Sequence, residues 1–210
     1  GIEGIPTFQM SIAMSGYYAG FLLGSLSVPA LIKNVGHVRV FAALGSMISS
    51  VLVLYSVEPN WIWWTLLRVV IGYCFCGVYI TSESWLNAGS TNENRGQTLS
   101  AYMIVQLLGI VAAQALLNVS DPGGYTLFIV ASVLVSFAFM PILLSARPAP
   151  QFQTIKRMSF ARLYRASPLG CVGIFLIGGV FAVLSGMSSV WGAQIGLSVA
   201  QISQIGRAHV

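Results

Sequence analysis

Apolar residues along the chain gather into six long runs separated by short polar breaks. The runs are about Met10–Ile32, Val40–Val57, Trp61–Leu86, Leu99–Leu117, Tyr125–Leu144 and Leu169–Gly192. Each passes the length test of roughly 17–25 residues for a helix that crosses the hydrocarbon core of a bilayer. None shows the alternation of period two that a lipid-facing strand needs, so a β-barrel is disfavoured. Backbone groups in lipid have no water to bond, and each run is therefore predicted to satisfy itself as an α-helix. The expected fold class is all-α and integral to the membrane, with six transmembrane helices.

The breaks carry turn chemistry. KNVGH (Lys33–His37) and EPNW (Glu58–Trp61) supply Asn with Gly or Pro, the segment from Asn87 to Gln97 is polar, and SDPGG (Ser120–Gly124) is a strong turn signal. Ser167-Pro168 reads as an N-cap followed by a proline in the first helical position. Ser198 and Gln201 are spaced as a capping box.

Composition supports the membrane reading. Of 210 residues, 56% are hydrophobic and 7% charged, where a soluble domain carries about 25% charged residues. Charge placement then orients the spans. Alternate breaks hold Lys33, Arg39, Arg95, Arg147, Lys156, Arg157, Arg162 and Arg165 on one side, whereas the other side has no Lys or Arg and carries Glu3, Glu58 and Asp121. The basic side is cytoplasmic by the positive-inside rule. The chain is thus expected to begin outside, cross six times and end outside. The longest connection, Ser145–Ser167, is basic and contains Pro148 and Pro150. Its portion from Lys156 to Arg165 mixes four positive charges with Met158, Phe160, Ala161 and Leu163. Two readings stand: a segment lying along the anionic inner leaflet, or a solvated linker whose charges set topology.

The three cysteines, Cys74, Cys76 and Cys171, sit in apolar runs with no His or carboxylate cluster at ligand spacing, and read as small buried hydrophobes. No metal and no cofactor is expected. The first residue is Gly, and nothing near it has a signal peptide's basic start and cleavage site, so a piece cut at its front is expected. The end, IGRAHV (Ile205–Val210), is what one reading frame of a common sequencing adapter encodes. Residues 204–210 are therefore expected to be an artefact, and Arg207 and His209 are set aside. Without Arg207 the net charge falls from +5 to +4.

A short echo joins the two ends. GIPTFQMS (Gly4–Ser11) precedes the first run and GLSVAQIS (Gly196–Ser203) follows the sixth, with Gly, Gln and Ser in matching places. Duplicated halves related by parallel symmetry produce such an echo.

Several stretches resemble the major facilitator superfamily of transporters. MSGYYAGFLLGSL (Met14–Leu26) is similar to the family's second helix, and PALIKNVGHVRV (Pro29–Val40) stands where its loop between helices two and three belongs. LRVVIG (Leu67–Gly72) matches the Arg-x-x-x-Gly of helix four. SESWLNAGSTNENRGQTLSAYM (Ser82–Met103) resembles one bacterial subgroup, the YcaD-like proteins. The resemblance covers nearly all of residues 1–203. There are departures. The family's loop reads G-x-x-x-D-R-x-G-R, and those slots hold Pro29, Lys33, Asn34, Gly36 and His37, so its charge-pair gate does not transfer as written. The fifth helix lacks the Gly-Pro ending of drug antiporters, and drug–proton antiport is not implied.

The resemblance implies that the six runs are family helices two to seven. Residues 1–144 are then the N-terminal half without its first helix, 145–167 the cytoplasmic linker between halves, and 168–203 the first helix of the C-terminal half with the outer loop that follows. Helix one and helices eight to twelve would lie outside the chain.

Two charges interrupt the third run. Arg68 stands about seven residues inside its outer edge, or about 10 Å, where a charge costs about 2.5 kcal/mol unless it meets water or a partner. It either snorkels outward or faces a cavity, binding an anionic group or coupling to proton movement, and the resemblance supports the cavity. Glu83 lies about 22 Å further along the axis, too far to pair with Arg68. Beside the interfacial Trp85, its expected partners in a gate or brace are cytoplasmic-side cations, Arg95 or Arg39, with Lys33 in the same group. Gln106 and Gln114 fall within about 80° on one helix, either a polar stripe on the pathway or hydrogen bonds that hold the bundle. Tyr17 and Tyr79 are pathway candidates, as are Tyr18 and Tyr102, though tyrosines at these depths also serve packing. Gly16, Gly20 and Gly24 have the small-xxx-small spacing of close helix packing.

The function expected is secondary active transport of a small solute by alternating access, with a proton or ion as candidate coupling partner, lipid as surroundings and no nucleic acid. The setting is a bacterial cytoplasmic membrane. A structural or sensory membrane protein without transport is the alternative. A membrane-embedded enzyme is the weakest, since no nucleophile–base pair or metal cluster is visible. The chain by itself is not expected to transport.

Overall fold

The computed structural model of the protein describes residues 4–121, 123–144 and 159–208, with side chains described as far as 204. Among these residues eight helices follow in order: α1 (Thr7–Val35), α2 (His37–Leu54), α3 (Trp61–Ala88), α4 (Arg95–Leu116), α5 (Thr126–Leu143), α6 (Phe160–Ala166), α7 (Pro168–Gln194) and α8 (Val199–Ala208). Among the described residues there is no strand. Six of the helices, α1 to α5 and α7, are long and apolar enough to cross a membrane, and they coincide with the six runs.

Helix ends differ from run ends because hydrogen bonding, not hydropathy, terminates a helix. α1 extends three residues earlier and three later than its run, passing through Pro29. α4 starts at Arg95, so the polar turn before Leu99 is already helical. The break at KNVGH shrinks to one non-helical residue, Gly36, whose φ of 93° is a conformation L side chains rarely adopt. The N-caps form as the residues require. Asn60 accepts from the Ile62 N–H at 2.8 Å, and Ser167 accepts from the Gly170 N–H at 3.3 Å ahead of Pro168. Ser198 and Gln201 close a reciprocal box at 2.9 and 3.3 Å.

The core gathers around α3, which packs on α1 and on α2, while α2 packs in turn on α5. Val28, Ile32, Val40, Leu44, Ile48 and Cys74 form one buried cluster, and Val51, Leu67 and Ile71 a second toward the other end. Opposite sides of α3 are both covered. Cys74 faces the first cluster, and Cys76 lies against Gly24 of α1. Between α1 and α3 the glycines set the spacing: a Cβ on Gly16 would stand 2.9 Å from the Thr65 carbonyl oxygen, and one on Gly20 would fall inside contact with the Val69 carbonyl. Between α2 and α5 three hydroxyls meet, Ser49 with Ser132 at 2.7 Å and with Ser136 at 2.9 Å. α4 has no buried residue and α7 only Gly192. Their apolar faces are ones that lipid solvates without penalty.

The matching segments at the two ends share a backbone feature. Gly4 and Gly196 both have positive φ, 65° and 79°, and three residues later each chain enters a helix, at Thr7 and Val199. Of the connection expected over Ser145–Ser167, residues 145–158 lie outside the described residues. Its described end forms α6, with Phe160 stacked near Tyr164 at 6.5 Å.

Candidate functional site

Four of the long helices line a cavity of about 350 Å³ near the start of α3. Met10, Ala13 and Met14 come from α1, Leu52 from α2 with Tyr55 just beyond its end, Trp64, Arg68 and Ile71 from α3, and Phe128 from α5. Local sequence explains the assembly. The turn at Glu58–Asn60 reverses the chain, with Asn60 capping α3. Tyr55, ahead of the turn, and Trp64, one turn into α3, thereby meet edge to face at 6.4 Å. Tyr55 also stacks on Phe128 at 5.9 Å, which ties α5 to the group. Trp64 and Arg68 are four apart and share a face of α3.

Among the described residues Arg68 is the single formal charge in this wall, and no carboxylate among them lies within 4.0 Å of it. The Tyr55 hydroxyl and the Trp64 indole N–H are both buried, and neither has a hydrogen-bond partner. A buried donor left in that state costs about 1–3 kcal/mol.

Below the cavity a tract of rings descends between α1 and α3. Tyr17 lies 6.5 Å from Phe75 and 6.1 Å from Phe21, and both reach Tyr79, at 6.2 and 6.4 Å. Arg68, Phe75, Tyr79 and Glu83 occupy one face of α3, within about 80° at 3.6 residues per turn. Ring contacts therefore link Tyr17 to Tyr79, and Arg68 and Glu83 flank this stretch of α3 by helical spacing. Gln106 and Gln114 are half-buried on α4, on the side of Tyr102, while Ile104, Val105 and Leu108 point outward. Neither glutamine lines the cavity.

At the other end Glu83, Arg95, Lys33 and Arg39 are all exposed. Among the described residues no ion pair within 4.0 Å joins them. What holds α2 to α3 there is His37, 3% exposed, whose Nε2 lies 3.1 Å from the Ser84 hydroxyl and whose ring stacks near Trp85 at 6.2 Å. Residue patterns did not single out Tyr55, Trp64 or Phe128. The i, i+4 spacing of Trp64 to Arg68 was a readable signal for one of them. The other two arrive from separate helices.

Among the described residues no group of three or more His, Cys, Asp or Glu could hold a metal ion. No family model matches the chain, and no solved structure matches it. Curated relatives do. The chain is 28% identical over 202 residues to a protein of Salmonella heidelberg named "Uncharacterized MFS-type transporter YcaD", across 94% of this chain and 52% of the relative. To one of Yersinia enterocolitica named "Uncharacterized MFS-type transporter YE1530" it is 27% identical over 203 residues, with the same coverage. The chain thus spans about half the length of the curated relatives it matches. These similarities bear out the resemblance to YcaD-like members of the major facilitator superfamily. With six helices long and apolar enough to cross a membrane, they support a multi-pass membrane protein.

Proposed function

We propose that the chain forms about half of a secondary active transporter of the bacterial cytoplasmic membrane, which moves a small solute by alternating access. The observation that carries this reading is Arg68, a cation in the wall of a cavity within the spanning bundle, without a carboxylate partner among the described residues. A charge kept at such depth against its insertion cost serves a ligand or a coupling step. Residues 1–144 then belong to the N-terminal half, 145–167 to the linker and 168–203 to the start of the second half. Tyr17 and Tyr79 line the path, Gln106 and Gln114 add polar groups from α4, and Glu83 closes a cytoplasmic gate on Arg95, Arg39 or Lys33 in another state of the cycle. A proton or ion supplies coupling. The test is Arg68→Ala in the full-length parent, reconstituted in proteoliposomes. Transport falls at least a hundredfold while membrane insertion and yield stay at parental levels. Undiminished uptake or efflux removes Arg68 from the mechanism.

A further inference from the structure

The geometry points to a small organic monoanion, a carboxylate on an apolar body, as the ligand of the Arg68 cavity, and this rests on the transporter reading above. The polar side chains of the wall are all donors in kind. Arg68 presents a guanidinium with five N–H groups and no acceptor, and Trp64 an indole N–H that only donates. Tyr55 brings its ring to the same wall. The Tyr55 hydroxyl and the Trp64 indole N–H are themselves covered and have no partner, so the guanidinium is the donor a ligand meets. One acceptor-rich group beside Arg68 answers it. An ionised carboxylate does so with about four lone-pair sites and can take a guanidinium in bidentate fashion.

The rest of the wall selects against other solutes. None of the nine lining side chains bears a carboxylate or an amide, so an ammonium or a ring of sugar hydroxyls finds no side-chain acceptor there beyond the Tyr55 oxygen. A single cation balances one negative charge, and a phosphate dianion would keep a second charge uncompensated in a wall of low polarity. Met10, Met14, Phe128 and the ring of Tyr55 provide apolar and aromatic contact for the body of the ligand. A volume of about 350 Å³ stands at the small end of the range for ligand pockets, about 300–1,000 Å³, which favours a compact ligand of benzoate size.

Benzoate, benzamide and benzylamine are near-isosteres that differ in charge, and they are the probes. Binding to the purified full-length parent is measured by titration calorimetry in detergent. Benzoate is expected to saturate and to bind at least tenfold more tightly than benzamide or benzylamine. Arg68→Gln abolishes that preference while size-exclusion profiles stay parental. The charge-preserving Arg68→Lys keeps a preference for benzoate and keeps the test intact should Arg68→Gln fail to fold. In parallel, Met14→Cys is labelled by a negatively charged methanethiosulfonate, and benzoate protects it. Equal binding of the three probes, or none of benzoate, overturns the ligand class. So does a Met14→Cys thiol that no reagent reaches, which shows that a helix outside this chain fills the cavity. If benzoate fails while Arg68-dependent transport of another solute persists, the ligand class is wrong and the transporter reading stands. If no solute class moves, both fall.

Discussion

Replacing Gly20 by Ala places one methyl group where α1 and α3 touch backbone to backbone. The new Cβ falls inside contact with the Val69 carbonyl oxygen and 2.9 Å from the Tyr73 nitrogen. Gly72 is the reciprocal case, since its Cβ would strike the Tyr17 carbonyl and stand 3.1 Å from the Phe21 nitrogen. Main-chain atoms in mid-helix cannot rotate aside as a side-chain tip does, so the helices themselves must part, by a distance on the order of 1 Å. A gap of that size forfeits about a quarter to a half of the dispersion energy of the facing atoms. Overpacking ordinarily costs about 1–3 kcal/mol, and an interface without a yielding side chain belongs at the top of that range, about 3 kcal/mol. Gly16→Ala meets a Cβ contact of 2.9 Å and is expected to cost about 1 kcal/mol. Gly96, with nothing within 4 Å, is the control. Ala there should be neutral or gain up to about 1 kcal/mol of helix propensity. The assay is unfolding in mixed detergent–dodecyl sulfate micelles, followed by circular dichroism. The double variant Gly20→Ala with Gly72→Ala should lose less than the sum of the single losses, because helices already parted for one methyl admit the second. A Gly20→Ala midpoint equal to that of Gly96→Ala refutes the close approach.

Other sites are tested in the same way. Ser49→Ala removes the hydroxyl that meets Ser132 and Ser136 and should cost about 0.6 kcal/mol, the average for hydrogen bonds between membrane helices, and at most about 1.7 kcal/mol; an unchanged midpoint would mean that α2 and α5 are held by packing alone. Asn60→Ala deletes the cap on the Ile62 N–H and should cost about 1 kcal/mol, with Asn60→Asp retaining most of it. His37→Ala removes both the Ser84 hydrogen bond and the face of Trp85. It should raise exchange of the amides at the start of α2 without touching those near Arg68, and uniform loss of protection across both ends would contradict a local brace.

Much of the fold was legible because lipid imposes a simple rule. Any run of some twenty apolar residues must be helical, and the turn residues between runs mark where it stops. The caps at Ser167 and Ser198 and the glycine face of α1 could be read for the same reason, since each depends on residues only three or four places apart. Even the isolation of Arg68 from Glu83 followed from the rise of one helix.

What the sequence by itself determined is therefore the six long helices, their ends to within a few residues, and the presence of two charges that need partners elsewhere. Tertiary structure alone decided who those neighbours are. Tyr55 and Phe128 reach the Arg68 cavity from α2 and α5, some 60 positions or more separating Phe128 from Arg68 in the chain. Rings from α1 and α3 together link Tyr17 to Tyr79. The glutamines of α4 do not line the Arg68 cavity. Periodicity records which face of a helix is turned inward. Which other face it meets is set by packing between elements distant in sequence, and the side chains around Arg68 come together only there.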